Sequence, residues 1–186
     1  MKFSRFLRFA QFPDEIIQNF KLNYPNQAMK KVIENKDKLV GHWLVFYGPP
    51  GTGKTYASAV ASFLFYKRGI IQNASSVLFI SASDILPEDR DLPRELVSKY
   101  ELVVIDDLFT EFRDSTPIIE NIIFKFYEKG KFLFFTTNFA HQVREIRTLR
   151  TKYENQMDKR AVSRLFQKAR FIYSGELARR MEADLM

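Results

Sequence analysis

Residues 48–55 read Gly48-Pro49-Pro50-Gly51-Thr52-Gly53-Lys54-Thr55. Every fixed position of the phosphate-binding P-loop, G-x-x-x-x-G-K-[ST], is filled. Gly48, Gly51 and Gly53 permit a tight turn that aims backbone N–H groups inward at phosphate oxygens. A helix beginning at the end of this loop adds its positive N-terminal potential. Lys54 can reach the β- and γ-phosphates, and Thr55 can offer its hydroxyl to Mg²⁺. The chemistry implied is the binding of a nucleoside triphosphate.

Two further stretches could complete such a site. Leu102-Val103-Val104-Ile105 is an apolar run that ends in the carboxylates Asp106 and Asp107. In a parallel sheet, ligands bind beyond the carboxyl ends of the strands, so both aspartates should stand beside the P-loop. Asp106 suits Mg²⁺, held through its water shell, and Asp107 suits a base or positioning group for an attacking water. A pair of aspartates at a strand end can also be a plain cap; the P-loop favours the functional reading. Phe132-Leu133-Phe134-Phe135-Thr136-Thr137 ends similarly at Asn138, which could orient water against the γ-phosphate or simply make a turn.

These residues need strands and helices to hold them. Trp43-Leu44-Val45-Phe46-Tyr47 before the P-loop is β-prone, and residues 54–68 after it read as a helix. Strands are expected at 43–47, 76–80, 102–106, 131–136 and 170–173. Helices are expected at 27–35, 54–68, 91–99, 115–129, 139–150 and 156–168, with a short one near 175–184. Continuous apolar strands alternating with helices imply βαβ units and a parallel sheet covered on both faces.

The bulk numbers narrow the classes. A length of 186 residues suits one domain with a large core. No apolar run reaches the roughly 18 residues of a membrane span, and the charged N-terminus is a poor signal peptide. The absence of cysteine excludes disulfides, thiolate zinc sites and cysteine nucleophiles, and fits a cytoplasmic protein. The net charge of +7 is uneven: residues 1–124 hold 15 basic and 15 acidic side chains, residues 125–186 hold 14 and 7. That asymmetry suits a polyanion partner, a solvated face, or arginines that serve the nucleotide.

In this order and spacing, the motifs resemble those of the AAA+ ATPases: Walker A at 48–55, Walker B at 102–107 and a sensor-1 Asn138. The chain looks most like the bacterial helicase-loader branch (DnaC/DnaI type) and its transposition-helper relative (IstB type). Residues 20–28 are similar to the segment that packs near the adenine in loaders. Ile105-Asp106-Asp107-Leu108 is similar to their Walker B, and Thr136-Thr137-Asn138 to their sensor 1. Ala161-Val162-Ser163-Arg164-Leu165 looks like their arginine-finger helix, and Ser174-Gly175-Glu176-Leu177-Ala178-Arg179 like their closing motif with a sensor-2 arginine. The resemblance implies a three-layer P-loop NTPase fold, α/β, with a central parallel five-stranded sheet and no separate C-terminal lid domain. It implies ATP and Mg²⁺ as cofactors, while Asp107, shorter than a glutamate, predicts slow intrinsic turnover that rises on assembly or DNA binding. It implies a trans role for Arg164 at a neighbour's γ-phosphate, with Arg160 as the competing candidate, and a cis role for Arg179, with Arg180 beside it. The activity implied is ATP-dependent loading or remodelling of a replicative helicase, with a homo-oligomer assembling on helicase and single-stranded DNA, in a bacterium or a phage. A transposase helper ATPase and a nucleotide-gated adaptor with little hydrolysis are the alternatives.

Departures from the family pattern are also visible. Residues 1–19 form only a short segment before a core at 20–186, where loaders usually carry a helicase-gripping module. Phe3, Phe6, Phe9 and Phe12 recur every three residues there, either as a docking helix for a partner or as packing on the protein's own core. The stretch between Ile80 and Leu102 has room for one ordinary helix, so the single-strand-binding device that initiator-type proteins build there is expected to be shortened. Contact with single-stranded DNA then falls to the basic last third, where Arg144, Arg147 and Arg150 would share a helical face.

Overall fold

The apolar runs of the sequence become five strands, β1 (Trp43–Tyr47), β2 (Val77–Ser81), β3 (Leu102–Asp106), β4 (Phe132–Thr137) and β5 (Ala169–Tyr173). They form one parallel sheet in the order β2-β3-β4-β1-β5. All five residues of β1 are buried, as are four of the five in β3. Such strands cannot alternate polar and apolar residues, because both faces are covered. This is a computed structural model, and it describes residues 1–109 and 115–175.

Helices supply the covers. In chain order they are α1 (Phe3–Phe9), α2 (Asp14–Asn19), α3 (Gln27–Glu34), α4 (Lys36–Leu39), α5 (Lys54–Lys67), α6 (Leu92–Lys99), α7 (Thr116–Glu128), α8 (Ile146–Glu154) and α9 (Lys159–Lys168). One apolar layer joins the α1, α3 and α5 side to Leu44, Phe46, Val104 and Phe134. The other joins α6 to α9 to Val45, Val103, Ile105 and Phe135. The product is the expected three-layer α/β architecture, and α6 is the single α-helix between β2 and β3. Among the described residues, β5 is followed only by Ser174 and Gly175, with no lid.

The N-terminal phenylalanines pack inward. Phe6 is fully buried and Phe12 is 4% exposed, both in the layer around α5. Phe3 meets the rings of Phe20 and Phe63 at 4.5 and 5.0 Å. Phe9 alone is exposed, under the guanidinium of Arg5.

The helix expected at 139–150 lies instead at 146–154. Phe139 turns back to meet Phe109 and Tyr153 edge-on, at 5.1 and 5.4 Å. Ala140 has a left-handed φ of 53°, which no helix tolerates. Leu149 and Tyr153, four apart and fully buried, then anchor the helix that does form. Consequently Arg144 is not on a helix with Arg147 and Arg150. It stacks on the Tyr173 ring, 3.3 Å from the centroid, while Arg150 pairs with Glu154. The shared arginine face is therefore corrected to two residues, Arg147 and Arg150. The helix expected near 175–184 falls beyond Gly175, outside the described residues.

Candidate active site

The strand order explains why distant motifs meet. β4 lies between β1 and β3 in the sheet, so its end separates the P-loop from the two aspartates. Tyr47 is in register with Thr137, and Ile105 with Phe135, which brings the three strand ends level. Pro50, Gly51, Gly53, Lys54, Thr55, Asp107 and Asn138 line one cleft of about 650 Å³. Its opposite wall is Glu15, Ile16, Asn19, Leu22 and Asn23, from α2 and the 3₁₀ turn at Phe20–Asn23. A volume of this size suits a nucleotide.

The P-loop is tied down from two sides. Gly53 has φ 78°, and a Cβ on it would lie 2.0 Å from Asn26 Nδ2. That amide donates to the Gly53 carbonyl at 3.2 Å, while Asn26 Oδ1 caps α3 by accepting from Met29 N–H at 2.9 Å. On the other side, a Cβ on Gly48 would lie 2.5 Å from Ser174 Oγ. Thr52 and Ser174 share a buried hydroxyl–hydroxyl bond of 2.8 Å, and Thr52 Oγ1 also lies 2.8 Å from the Pro49 carbonyl. The sequence places Asn26 and Ser174 in the segments that resemble the adenine-side stretch and the closing motif, but it gives neither side chain a role at the P-loop. An N-cap asparagine is visible in sequence, but its second bond, to Gly53, spans 27 positions and leaves no local signal.

Lys54 is 6% exposed, and its ammonium donates to the Gly48 and Pro49 carbonyls at 3.1 and 2.8 Å. Burial lowers its pKa below the ordinary lysine range, opposed by the charges of Asp107 and Asp106. Thr55 Oγ1 donates to Asp106 Oδ1 at 3.0 Å. Burial raises the Asp106 pKa above the usual carboxylate range. The Thr136 hydrogen bond opposes this, Asp107 adds to it, and Thr55 and Lys54 oppose it. Asp107 takes a left-handed φ of 57°, which aspartate tolerates better than most residues, and lines the cleft. Asn138 Oδ1 is buried with no hydrogen-bond partner among the described residues.

These features fit a nucleotide with its metal. A buried ammonium sits on backbone carbonyls, the buried Oδ1 of the cleft-lining Asn138 lacks a donor, and a hydroxyl–carboxylate pair stands at the helix start. Thr55 and Asp106 are the residues that would hold Mg²⁺. No cluster of three or more His, Cys, Asp or Glu occurs among the described residues, so a metal here would need phosphate oxygens as partners.

Arg164 does not line the cleft. Its guanidinium stacks over Phe124 at 4.5 Å and Tyr127 at 5.3 Å on α7. Arg160 is exposed beside Asp158. Arg179 and Arg180 lie outside the described residues. Among the described residues, no helix is long and apolar enough to cross a membrane.

No protein-family model matches the sequence, and no curated protein matches it. Solved structures do. The DnaC helicase loader superposes with a TM-score of 0.58 at 22% identity, covering 90% of this chain and 97% of that one. DnaI gives 0.59 at 21%, covering 87% and 93%. A DNA replication initiation factor gives 0.51 at 19%, covering 92% of this chain and half of that one. The fold is the three-layer α/β fold of the AAA+ kind. More narrowly, it is the fold shared with the DnaC helicase loader and with DnaI.

Proposed function

We propose that the chain is an ATP-dependent loader or remodeller of a replicative helicase, in which ATP favours an oligomer engaged with helicase and single-stranded DNA and hydrolysis releases it. The observation that carries this reading is the convergence of Lys54, Thr55, Asp107 and Asn138 on one cleft, with Asp106 bonded behind Thr55. The P-loop N–H groups and Lys54 bind the triphosphate. Asp107 orients the attacking water, and the Asn138 side chain on the cleft wall helps place that water against the γ-phosphate. Mg²⁺ held by Thr55 and Asp106 would supply neutralisation of the β- and γ-phosphate charge. Arg164 completes the site of a neighbouring subunit, and Arg179 senses nucleotide in cis. The partner assignment is supported by the likeness to the DnaC helicase loader.

The test is a pull-down with ATP or ADP. The tagged protein should retain a hexameric replicative helicase with ATP and lose it with ADP. Retention of a transposase, or of no helicase under either nucleotide, contradicts the assignment.

A further inference from the structure

The hydroxyl of Thr136 lies where the Asp106 carboxylate meets the backbone turn at Asp107. Thr136 is fully buried in β4, next to β3 in the sheet. Its Oγ1 donates to Asp106 Oδ1 at 2.6 Å and accepts the Asp107 N–H at 3.0 Å. A threonine hydroxyl has one proton, so its donor is committed to Asp106. The next residues extend the grip. The Thr136 carbonyl accepts the Leu108 N–H at 2.9 Å, and Thr137 Oγ1 donates to the Leu108 carbonyl at 2.5 Å. Backbone and side chains of two consecutive threonines therefore hold residues 106–108, across the left-handed turn at Asp107.

We infer that Thr136 is the positioning residue of the hydrolysis site, setting the Asp106 carboxylate and the Asp107 turn together and in register with Asn138, two residues on and just past the end of β4. Thr136 takes Asp106 Oδ1 at 2.6 Å, and Thr55 reaches Oδ1 at 3.0 Å and Oδ2 at 3.3 Å, so the two hydroxyls fix the orientation of the carboxylate behind Thr55. With its N–H held, Asp107 keeps the left-handed backbone that puts it on the cleft wall. Asn138 follows directly after the end of β4, so one hydroxyl indexes all three polar residues to one another. This inference rests on the hydrolytic reading above.

Thr136→Val removes the hydroxyl at nearly constant shape, and Thr136→Ser keeps it. Thr136→Cys, with a weak donor, serves if the valine variant does not fold by circular dichroism. Two readouts apply. In ATP turnover, Val or Cys should lower kcat by about 10–100-fold, change the KM for ATP by less than about twofold, and Ser should restore the rate. In binding of a fluorescent ATP analogue, affinity without metal should be unchanged, while the Mg²⁺ concentration that half-enhances binding should rise about tenfold in Val or Cys but not in Ser. Wild-type turnover with unchanged kcat and Mg²⁺ midpoint in folded Val or Cys variants overturns the inference. Absence of wild-type turnover overturns the hydrolytic reading instead, and the Mg²⁺ midpoint then still decides whether Thr136 positions Asp106.

Discussion

Asp106 is held in a conflict between site and stability. Burial makes its charge costly, so its folded pKa is raised above the unfolded value. The sign follows: the folded state binds the Asp106 proton more tightly than the unfolded state does. The stability this group contributes is therefore fully present below the unfolded carboxylate pKa, and is lost as pH rises through the folded pKa. Asp106→Asn should raise the Tm of the nucleotide-free protein at pH 7, on the order of 2–4 °C for each kcal/mol gained. The gain should shrink toward zero below the ordinary aspartate range. Thermal melts at several pH values check this, and an Asn variant that melts lower at pH 7 contradicts it. The P-loop and Asp106-Asp107 were legible in sequence because each is a contiguous string with its chemistry in order. Thr136 was visible only as part of a polar strand end, since its bonds depend on which strand lies next to β4.

At the scale of elements, the strands are where the sequence placed them, within a residue, because continuous apolar runs bounded by polar residues have few other uses in a covered sheet. Helix α8 was not, because basic spacing at 144, 147 and 150 mimics a helical face. The decisive forces there are the aromatic contacts of Phe139 and Tyr153 and the left-handed Ala140, none of which has a local signature. The N-terminal segment belongs energetically to the core. Phe6 is fully buried against α5, with Phe63 at 5.3 Å and Tyr66 at 5.4 Å. Phe6→Ala should cost about 3–5 kcal/mol of unfolding free energy by denaturant titration. Phe9→Ala, at a side chain 45% exposed, should stay within about 0.5 kcal/mol. Equal effects would mean that α1 does not pack as described.

At the scale of the whole molecule, the cleft holds its own phosphate-binding and water-orienting candidates, and among the described residues no arginine lines it. Arg164 instead rests on Phe124 and Tyr127 on α7. If a neighbour supplies it, turnover per protomer should rise with protein concentration, and Arg164→Ala should abolish the rise. Mixing Arg164→Ala with Lys54→Ala should restore activity, since each supplies what the other lacks. Mixtures no more active than their parts would contradict the trans role. The account as a whole turns on whether Gly48–Thr55, Asp106, Asp107 and Asn138 form a hydrolytic site. The most direct measurement is phosphate release from Mg²⁺-ATP by the wild type and by Asp107→Asn, with ATP affinity determined on both. The account predicts slow wild-type turnover that Asp107→Asn reduces by at least about 100-fold while binding persists. Equal turnover in the two proteins, or none in the wild type at any concentration, would contradict it.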